Sequence, residues 1–408
     1  MFESNLEKYA QLAVEVGINI QKGQTLYITA PIETAEFVRL TAKKAYEAGA
    51  KHVYVDWVDE ALTRLKYDLA PEEAFFEFPS WKAQEKEQLG QEGAAFLSIY
   101  ASNPDLLKGV KPERIANATK AAGQAMQTFR SYITSDKVSW SVISVPTKEW
   151  AAKVFPDASP DERIEKLWDA IFQATRADLE NPVEAWKVHN EELEKKVQYL
   201  NSKHYKALHY QAPGTDLTVE LPDKHIWVGG GSRNEKGVPF VANMPTEEVF
   251  TMPLKTGVNG YVTSTKPHPY KGNVIEKFQL TFENGRIISY TAEAGKETLD
   301  LLVNADEGSR YLGEIALVPH NSPISNTNII FYNTLFDENA SCHLAIGNAY
   351  AFNLESGKTM TKEQLEEHGA NSSITHEDFM IGSAEINIDG VKEDGTREPI
   401  FRNGNWAI

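Results

Sequence analysis

Between Thr25 and Val58 the chain reads as strand, helix and strand with almost nothing between them. "TLYITAP" (25–31) is an apolar run closed by a proline. "TAEFVRLTAKKAYEAGA" repeats apolar residues at helical intervals, with Phe37, Val38, Thr41 and Ala45 on one side and Gly49 placed to end it. "HVYVDWV" (52–58) is a second strand. Strands joined through a helix need a crossover, so these two are expected to lie parallel in one sheet. Runs at 93–102 and 140–146 predict further strands, with helices at about 113–129 and 160–177.

A long helix follows at about 182–202, with Val183, Trp186, Leu193, Val197 and Leu200 on one stripe. From Tyr205 the pattern changes to strands and turns. "FQLTFENGRIISYTAE" predicts a hairpin with Asn284-Gly285 at its tip. Other strands are expected at 216–220, 259–265, 313–319, 329–335 and 384–388, and a helix at about 296–304. A chain of 408 residues exceeds one ordinary core. The expected organisation is an α/β domain with a parallel sheet over residues 1–205, then a β-rich α+β domain over 206–408.

Charge and cysteine content narrow the function classes. Lys and Arg number 41 and Asp and Glu 58, a net charge of −17. Phosphate binding rests on clustered basic side chains, which argues against a nucleic-acid partner. Carboxylates inside a cleft would instead suit cations. The start, "MFESNLEKYAQLAVEVG", is acidic and amphipathic and lacks the build of a secretory signal. No apolar run approaches the roughly 20 residues of a membrane span. Cys342 is the single cysteine, so no intramolecular disulfide can form and a reducing compartment is expected. The expectation is a soluble, cytoplasmic protein.

The second half holds several ionisable residues in apolar settings. In "SSITHEDFMIG" (372–382), a strand would put His376 and Asp378 on one face and Glu377 on the other. "YLGEIALVP" (311–319) sets Glu314 in an apolar strand, on the face of Leu312, Ala316 and Val318 if alternation holds. An isolated ionised carboxylate there costs several kcal/mol or more without a cation. "FDENASCHLAIGNAYAF" brings Asp337, Glu338 and His343, and "NMPTEEVFTMP" brings Glu247 and Glu248. Cys342 should face away from His343. Many carboxylates with two imidazoles suit divalent Zn, Co or Mn better than a structural zinc, which usually recruits cysteines. Each signal alone has a plainer reading: a salt-bridged glutamate, a hydrogen-bonded strand histidine, or "THED" as a helix cap.

Taken in order, "NMPTEEVFT", "GEIALVP", "FYNTLFDENASCHLAIGNAY" and "HEDFMIG" resemble the aminopeptidase T, aminopeptidase S and PepS family of bacterial dimetal aminopeptidases. The resemblance runs over essentially the whole chain. It implies two divalent metal ions held by Glu248, Glu314, His343, His376 and Asp378, and it selects Glu248 over Glu247. It implies that Tyr350, seven residues after His343, is the active-site tyrosine, and that Glu338 lies close to the metals as an extra ligand or a proton-transfer group. Glu338 or Glu314 would move the proton from water to the leaving amine, and Tyr350 would donate to the oxyanion. The family further implies short peptides with a free N-terminus as substrates, a preference for leucine and other large apolar residues, and a homodimer. In family terms the β-rich half carries the metals, while the α/β half and the dimer partner enclose the cleft.

Two other functions are open to the same residues: a different metal hydrolase, such as an amidase or phosphoesterase, and a non-catalytic peptide- or metal-binding protein. "WVGGGSR" (227–233) looks like a phosphate loop but lacks the strand-to-helix setting, so a tight turn or close backbone approach is expected. His268 in "STKPHPYKG" departs from the family segment and is not counted as a ligand. His52, His189, His204, His209, His225, His320 and His368 have no partner that the sequence identifies.

Overall fold

The strand, helix and strand of residues 25–58 form as the sequence predicts. In the computed structural model, β1 (Thr25–Pro31) and β2 (His52–Val58) pair in parallel from Thr25↔His52 to Pro31↔Val58. The helix between them, Ala35–Glu47, buries Phe37, Val38, Thr41 and Ala45. All residues are described except Met1, Ser102, Pro104, Lys271 and Gly272. Adding β3 (Ala95–Ile99) and β4 (Trp140–Ile143) gives a parallel sheet of order β2-β1-β3-β4. The helix expected at 113–129 is two helices, Pro112–Ala125 and Gln127–Thr134, meeting at Met126. No helix among the described residues is long and apolar enough to cross a membrane.

Two compact units divide the chain: Met1–Val188 with Gly231–Pro245, and His189–Gly230 with Thr246–Ile408. The division falls inside the long helix Pro182–Lys203, whereas the change of sequence pattern lies near residue 205. The helix explains this. Trp186 near its start donates to the Thr175 carbonyl at 2.7 Å in the first unit, while Leu193, Val197 and Leu200 belong to the core of the second. Residues 231–245 return to the first unit as a ribbon beside β4. Val142 donates to the Ala242 carbonyl at 2.8 Å and Met244 donates to the Val142 carbonyl at 3.0 Å.

The second unit contains an eight-stranded sheet and a five-stranded one. The expected hairpin is present in the larger sheet, as Gln279–Glu283 and Arg286–Thr291. The smaller sheet carries the residues of interest on β5 (Val249–Thr251), β6 (Leu312–Leu317), β7 (His343–Gly347) and β8 (His376–Met380). Its order is β8-β7-β6-β5 followed by Val228–Gly229, so β8 is an edge.

Alternation along these strands sends Val249, Ile315, Leu317, Leu344, Ile346 and Phe379 into the core. Leu312 also joins the core, three residues from Ile315, because a bulge interrupts β6. Against β7 the pairing passes from Leu312↔Ile346 directly to Glu314↔Ala345, leaving Gly313 extra. Glu314 therefore does not share a face with Leu312, as unbroken alternation had predicted. The strand expected at 329–335 is also absent. The Asn333 side chain accepts from the Leu335 amide, and the Asp337 carboxylate accepts from the Phe331 and Asn333 amides. Local polar partners have replaced a strand ladder there, and Thr334–Asp337 is a short helix.

Candidate metal centre

The face opposite the core gathers the acids and imidazoles. Ala316 on β6 pairs with His343, which pairs with Met380 on β8. One step along, Glu314 pairs with Ala345, which pairs with Asp378, and beyond them Gly347 faces His376. The positions between the long polar side chains are thus alanine or glycine, which leaves room above the sheet. Gly347 also has a backbone reason, since φ is +111° and a Cβ would lie 2.1 Å from the Thr375 carbonyl oxygen. Gly229, from the glycine run in "WVGGGSR", passes close to β5, where a Cβ would lie 2.5 Å from the Glu248 carbonyl oxygen.

Two groups of potential ligand atoms result: Glu248, Glu314 and His343, and Glu314, His376 and Asp378. Within each group the atoms lie within 4.8 Å of one another. Glu314 belongs to both. Its Oε1 is 3.5 Å from His343 Nε2 and its Oε2 is 3.6 Å from His376 Nε2. Glu248 Oε2 is 3.3 Å from His343 Nε2, and Asp378 Oδ1 is 3.6 Å from His376 Nε2. All five residues implied as ligands are therefore brought together.

Each imidazole is fixed through its other nitrogen. His343 Nδ1 lies 3.1 Å from the Ser341 carbonyl and His376 Nδ1 lies 2.7 Å from the Asn348 carbonyl. Donation from Nδ1–H to a carbonyl directs the Nε2 lone pairs at the acids and fits a metal ligand. Asn348 does more: its side-chain oxygen accepts from the Ser373 amide at 3.3 Å. Asp306 accepts from the Ile374 amide at 2.8 Å and from the Ser373 hydroxyl at 2.7 Å. Together they anchor the approach to β8. Sequence alone assigned a role to neither residue.

The electrostatics ask for positive charge. Burial pushes the Glu314 carboxyl up to about 7, with the His343 hydrogen bond opposing and Asp378 adding to the rise. Glu338 is raised well above the usual carboxylate range by burial and by Glu248 and Asp378. Burial alone would lower the His343 imidazole, but hydrogen bonds to Glu248 and Glu314 raise it well above its ordinary value. For His376 burial again opposes, and the charges of Asp378 and Glu314 raise the imidazole. Four carboxylates around two imidazoles cannot all ionise without cations. Asp378 Oδ1 is buried with no hydrogen-bond partner among the described residues. An oxygen stranded beside the aimed His376 nitrogen is what a divalent cation would satisfy, so the residues fit the implied metals.

The neighbouring acids point elsewhere. Glu247 lies 3.6 Å from His189 Nε2, and its amide donates to the Asn339 side chain at 2.9 Å. Glu377 is on the opposite face of β8 from His376 and Asp378, as the strand period predicts. Asp337, next to Glu338, holds its own loop as described above. Cys342 turns into the core, where its thiol donates to the Val318 carbonyl at 3.2 Å and burial pushes it up to about 11. Tyr350 lies beside the cluster, its ring centroid 4.6 Å from that of His376. Burial and the charges of Glu314, Asp378, Glu338 and Glu248 raise its hydroxyl far above the ordinary value, keeping it a donor. Its ring stacks on Phe352 at 5.1 Å and 9°, and Phe352 meets Phe250 edge-on at 6.0 Å.

Comparison with known proteins agrees with this chemistry. Residues 2–406 match the family described as thermophilic metalloprotease (M29). The chain is 60% identical over 407 residues to aminopeptidase AmpS of Bacillus subtilis, covering 100% of this chain and 99% of that one. It is 58% identical to aminopeptidase 2 of Geobacillus stearothermophilus over 407 residues, 100% of this chain and 98% of that one. Among solved structures it is similar to wild-type AmpT from Thermus thermophilus, with a TM-score of 0.94, 43% identity and full coverage of both chains.

Proposed function

The chain belongs to the M29 family of thermophilic metalloproteases, and from that premise we propose that this metallo-aminopeptidase frees N-terminal residues from short peptides with two divalent metal ions. The observation that carries the reading is the pair of ligand groups sharing Glu314. Glu248, Glu314 and His343 would hold one ion and Glu314, His376 and Asp378 the other, with Zn, Co or Mn suited to this donor set. When bound, such ions acidify a water molecule and polarise the scissile carbonyl.

The remaining chemistry belongs to side chains. Glu338, half-buried beside three other acids, has a raised proton affinity, as a group must to take a proton from water and pass it to the leaving amine. Tyr350, held protonated, donates to the oxygen that gains charge as the carbonyl becomes tetrahedral. The rings of Tyr350, Phe352 and Phe250 follow one another from His376 in a continuous aromatic row. It offers an apolar wall to the first residue of the peptide and supports a preference for leucine and other large apolar side chains.

The second unit carries the metals in this reading, and the working form is a cytoplasmic homodimer. Exposed apolar residues of the first unit support a dimer: Tyr54 and Trp57 on β2, and Leu62, Leu65 and Leu69 on one stripe of helix Glu60–Leu69. The test is metal analysis of purified protein with leucyl-anilide turnover before and after chelation. Chelation abolishes turnover and a divalent transition metal restores it; full turnover in metal-free protein refutes the reading. Hydrolysis of phosphate esters but not of aminoacyl anilides would instead favour a phosphoesterase.

A further inference from the structure

β8 is an edge strand with polar residues on both faces. A strand that reads His, Glu, Asp has two acceptable orientations at a metal centre. In one, His376 and Asp378 reach the ions; in the other, displaced by one residue, Glu377 does. A shift of one residue exchanges the faces of a strand, and edge strands with polar residues on both sides resist it least. β7 pairs with β8 from one side. On the other side the segment after Thr263 runs along the edge, with the Thr265 amide donating to the Met380 carbonyl at 2.9 Å and its hydroxyl to the Gly382 carbonyl at 2.8 Å.

That segment carries His268, which is 3% exposed. Its ring meets Phe278 at 6.0 Å and 62°, and Phe278 packs on Phe379 of β8 at 5.1 Å. Its Nε2 is buried and lies 3.3 Å from Glu377 Oε1, off the line of a well-formed hydrogen bond. Among the described residues that nitrogen has no other polar partner. A buried nitrogen is costly to leave without a partner, so the pair favours the register that keeps Glu377 beside it.

We propose that His268 is a positioning residue for the metal centre, holding Glu377 on the face of β8 that Phe379 shares, away from the ions, so that His376 and Asp378 both face them. The proposal rests on the metal-centre reading above. Phe379 supplies the apolar part of the same preference, and the His268–Glu377 pair supplies the polar part at the position between the two ligands. Glu377 is then neither a ligand nor a bystander.

Three variants test this: His268→Phe, which keeps a ring against Phe278; His268→Gln, which returns a polar group; and His268→Phe combined with Glu377→Gln. Each is stripped of metal, then measured for Co²⁺ affinity by chelator competition, for the visible absorption of the bound Co²⁺, and for the melting temperature of the stripped protein. His268→Phe binds about 10–100-fold more weakly, the usual range for loss of a residue that orients a ligand, with a changed spectrum. Its stripped form melts no lower than wild type. His268→Gln recovers most of the affinity, and the double variant binds no more weakly than His268→Phe, since both changes break one contact. Wild-type affinity and spectrum in His268→Phe overturn the proposal. So does a loss of affinity that follows a lower melting temperature and is not recovered by glutamine, which marks a packing role. If wild type itself takes up no Co²⁺, the metal-centre reading fails and His268 falls with it; tight wild-type binding that His268→Phe leaves unchanged sinks the positioning role alone.

Discussion

Glu314→Gln separates a shared metal ligand from two independent sites. Among the described residues Glu314 is the one acid common to both ligand groups, with one oxygen turned to each imidazole. A ligand bound only by the folded protein stabilises it by about 2.7 kcal/mol when present at about 100 times its Kd. Two sites so loaded contribute about 5 kcal/mol, which for a unit of about 200 residues raises the melting temperature by roughly 10–20 °C. If removing the shared oxygen weakens both sites about 100-fold, each falls to half occupancy and contributes about 0.4 kcal/mol, so the shift shrinks to roughly 2–3 °C. Asp378→Asn touches one group and keeps about half of the wild-type shift. In stripped protein the sign reverses. Burial disfavours the ionised Glu314, so above pH 7 the metal-free glutamine variant melts higher than metal-free wild type. The assay is differential scanning calorimetry of stripped and reloaded protein. A Glu314→Gln shift equal to that of Asp378→Asn, or a lower melt when stripped, refutes the shared-ligand argument.

Tyr350→Phe keeps its metals and a near-normal KM but loses about 10²–10³ in kcat, as expected when only a transition-state donor is removed; steady-state kinetics on leucyl-anilide check this, and an unchanged kcat makes Tyr350 a packing residue. His376→Ala and Asp378→Ala each lose metal and turnover, whereas Glu377→Ala keeps much of both with a partial loss of affinity, as metal counts per chain will show. A site emptied by Glu377→Ala but left filled by Asp378→Ala would contradict the face assignment. Metal-free protein becomes less stable as pH rises from about 4.5 to 7. Glu314 titrates near 7 when folded against 4.5 unfolded, so the folded state holds the extra proton across that window and its contribution is lost above it. Asp337, raised to about 6, acts in the same direction. Denaturant midpoints at pH 5 and pH 8 read the slope, and a midpoint that rises with pH contradicts it.

Periodicity made much of this molecule readable. β1, β2 and the buried face of the helix between them follow from apolar spacing alone, because each element buries one continuous side. The faces of His376, Glu377 and Asp378 follow from the strand period in the same way. What stayed hidden depended on single residues with no repeat. Gly313 as the extra residue of a bulge cannot be told from an ordinary strand glycine, yet it moves Glu314 off the face of Leu312. Alternation puts Glu247 and Glu248 on opposite sides but cannot say which side is which; that depends on a sheet partner more than sixty residues away. Asn333 and Asp337 turned an apolar run away from strand by binding its amides. Asp306 and His268 act on β8 from distant parts of the chain, and such contacts leave no local signal.

The return of residues 231–245 to the first unit bears on how the protein is made. Synthesis runs from the N-terminus, and domains tend to fold as they emerge. When Val188 has left the ribosome, the ribbon that will cover the outer edge of β4 does not yet exist. The backbone groups of Val142 wait for Ala242 and Met244, about a hundred residues later. A bare strand edge invites wrong pairing for that whole interval. The same threading means that no single cut frees either half intact. A break before Gly231 strips the first unit of its ribbon, and one just after Pro245 leaves Glu248 as the third residue of a loose end.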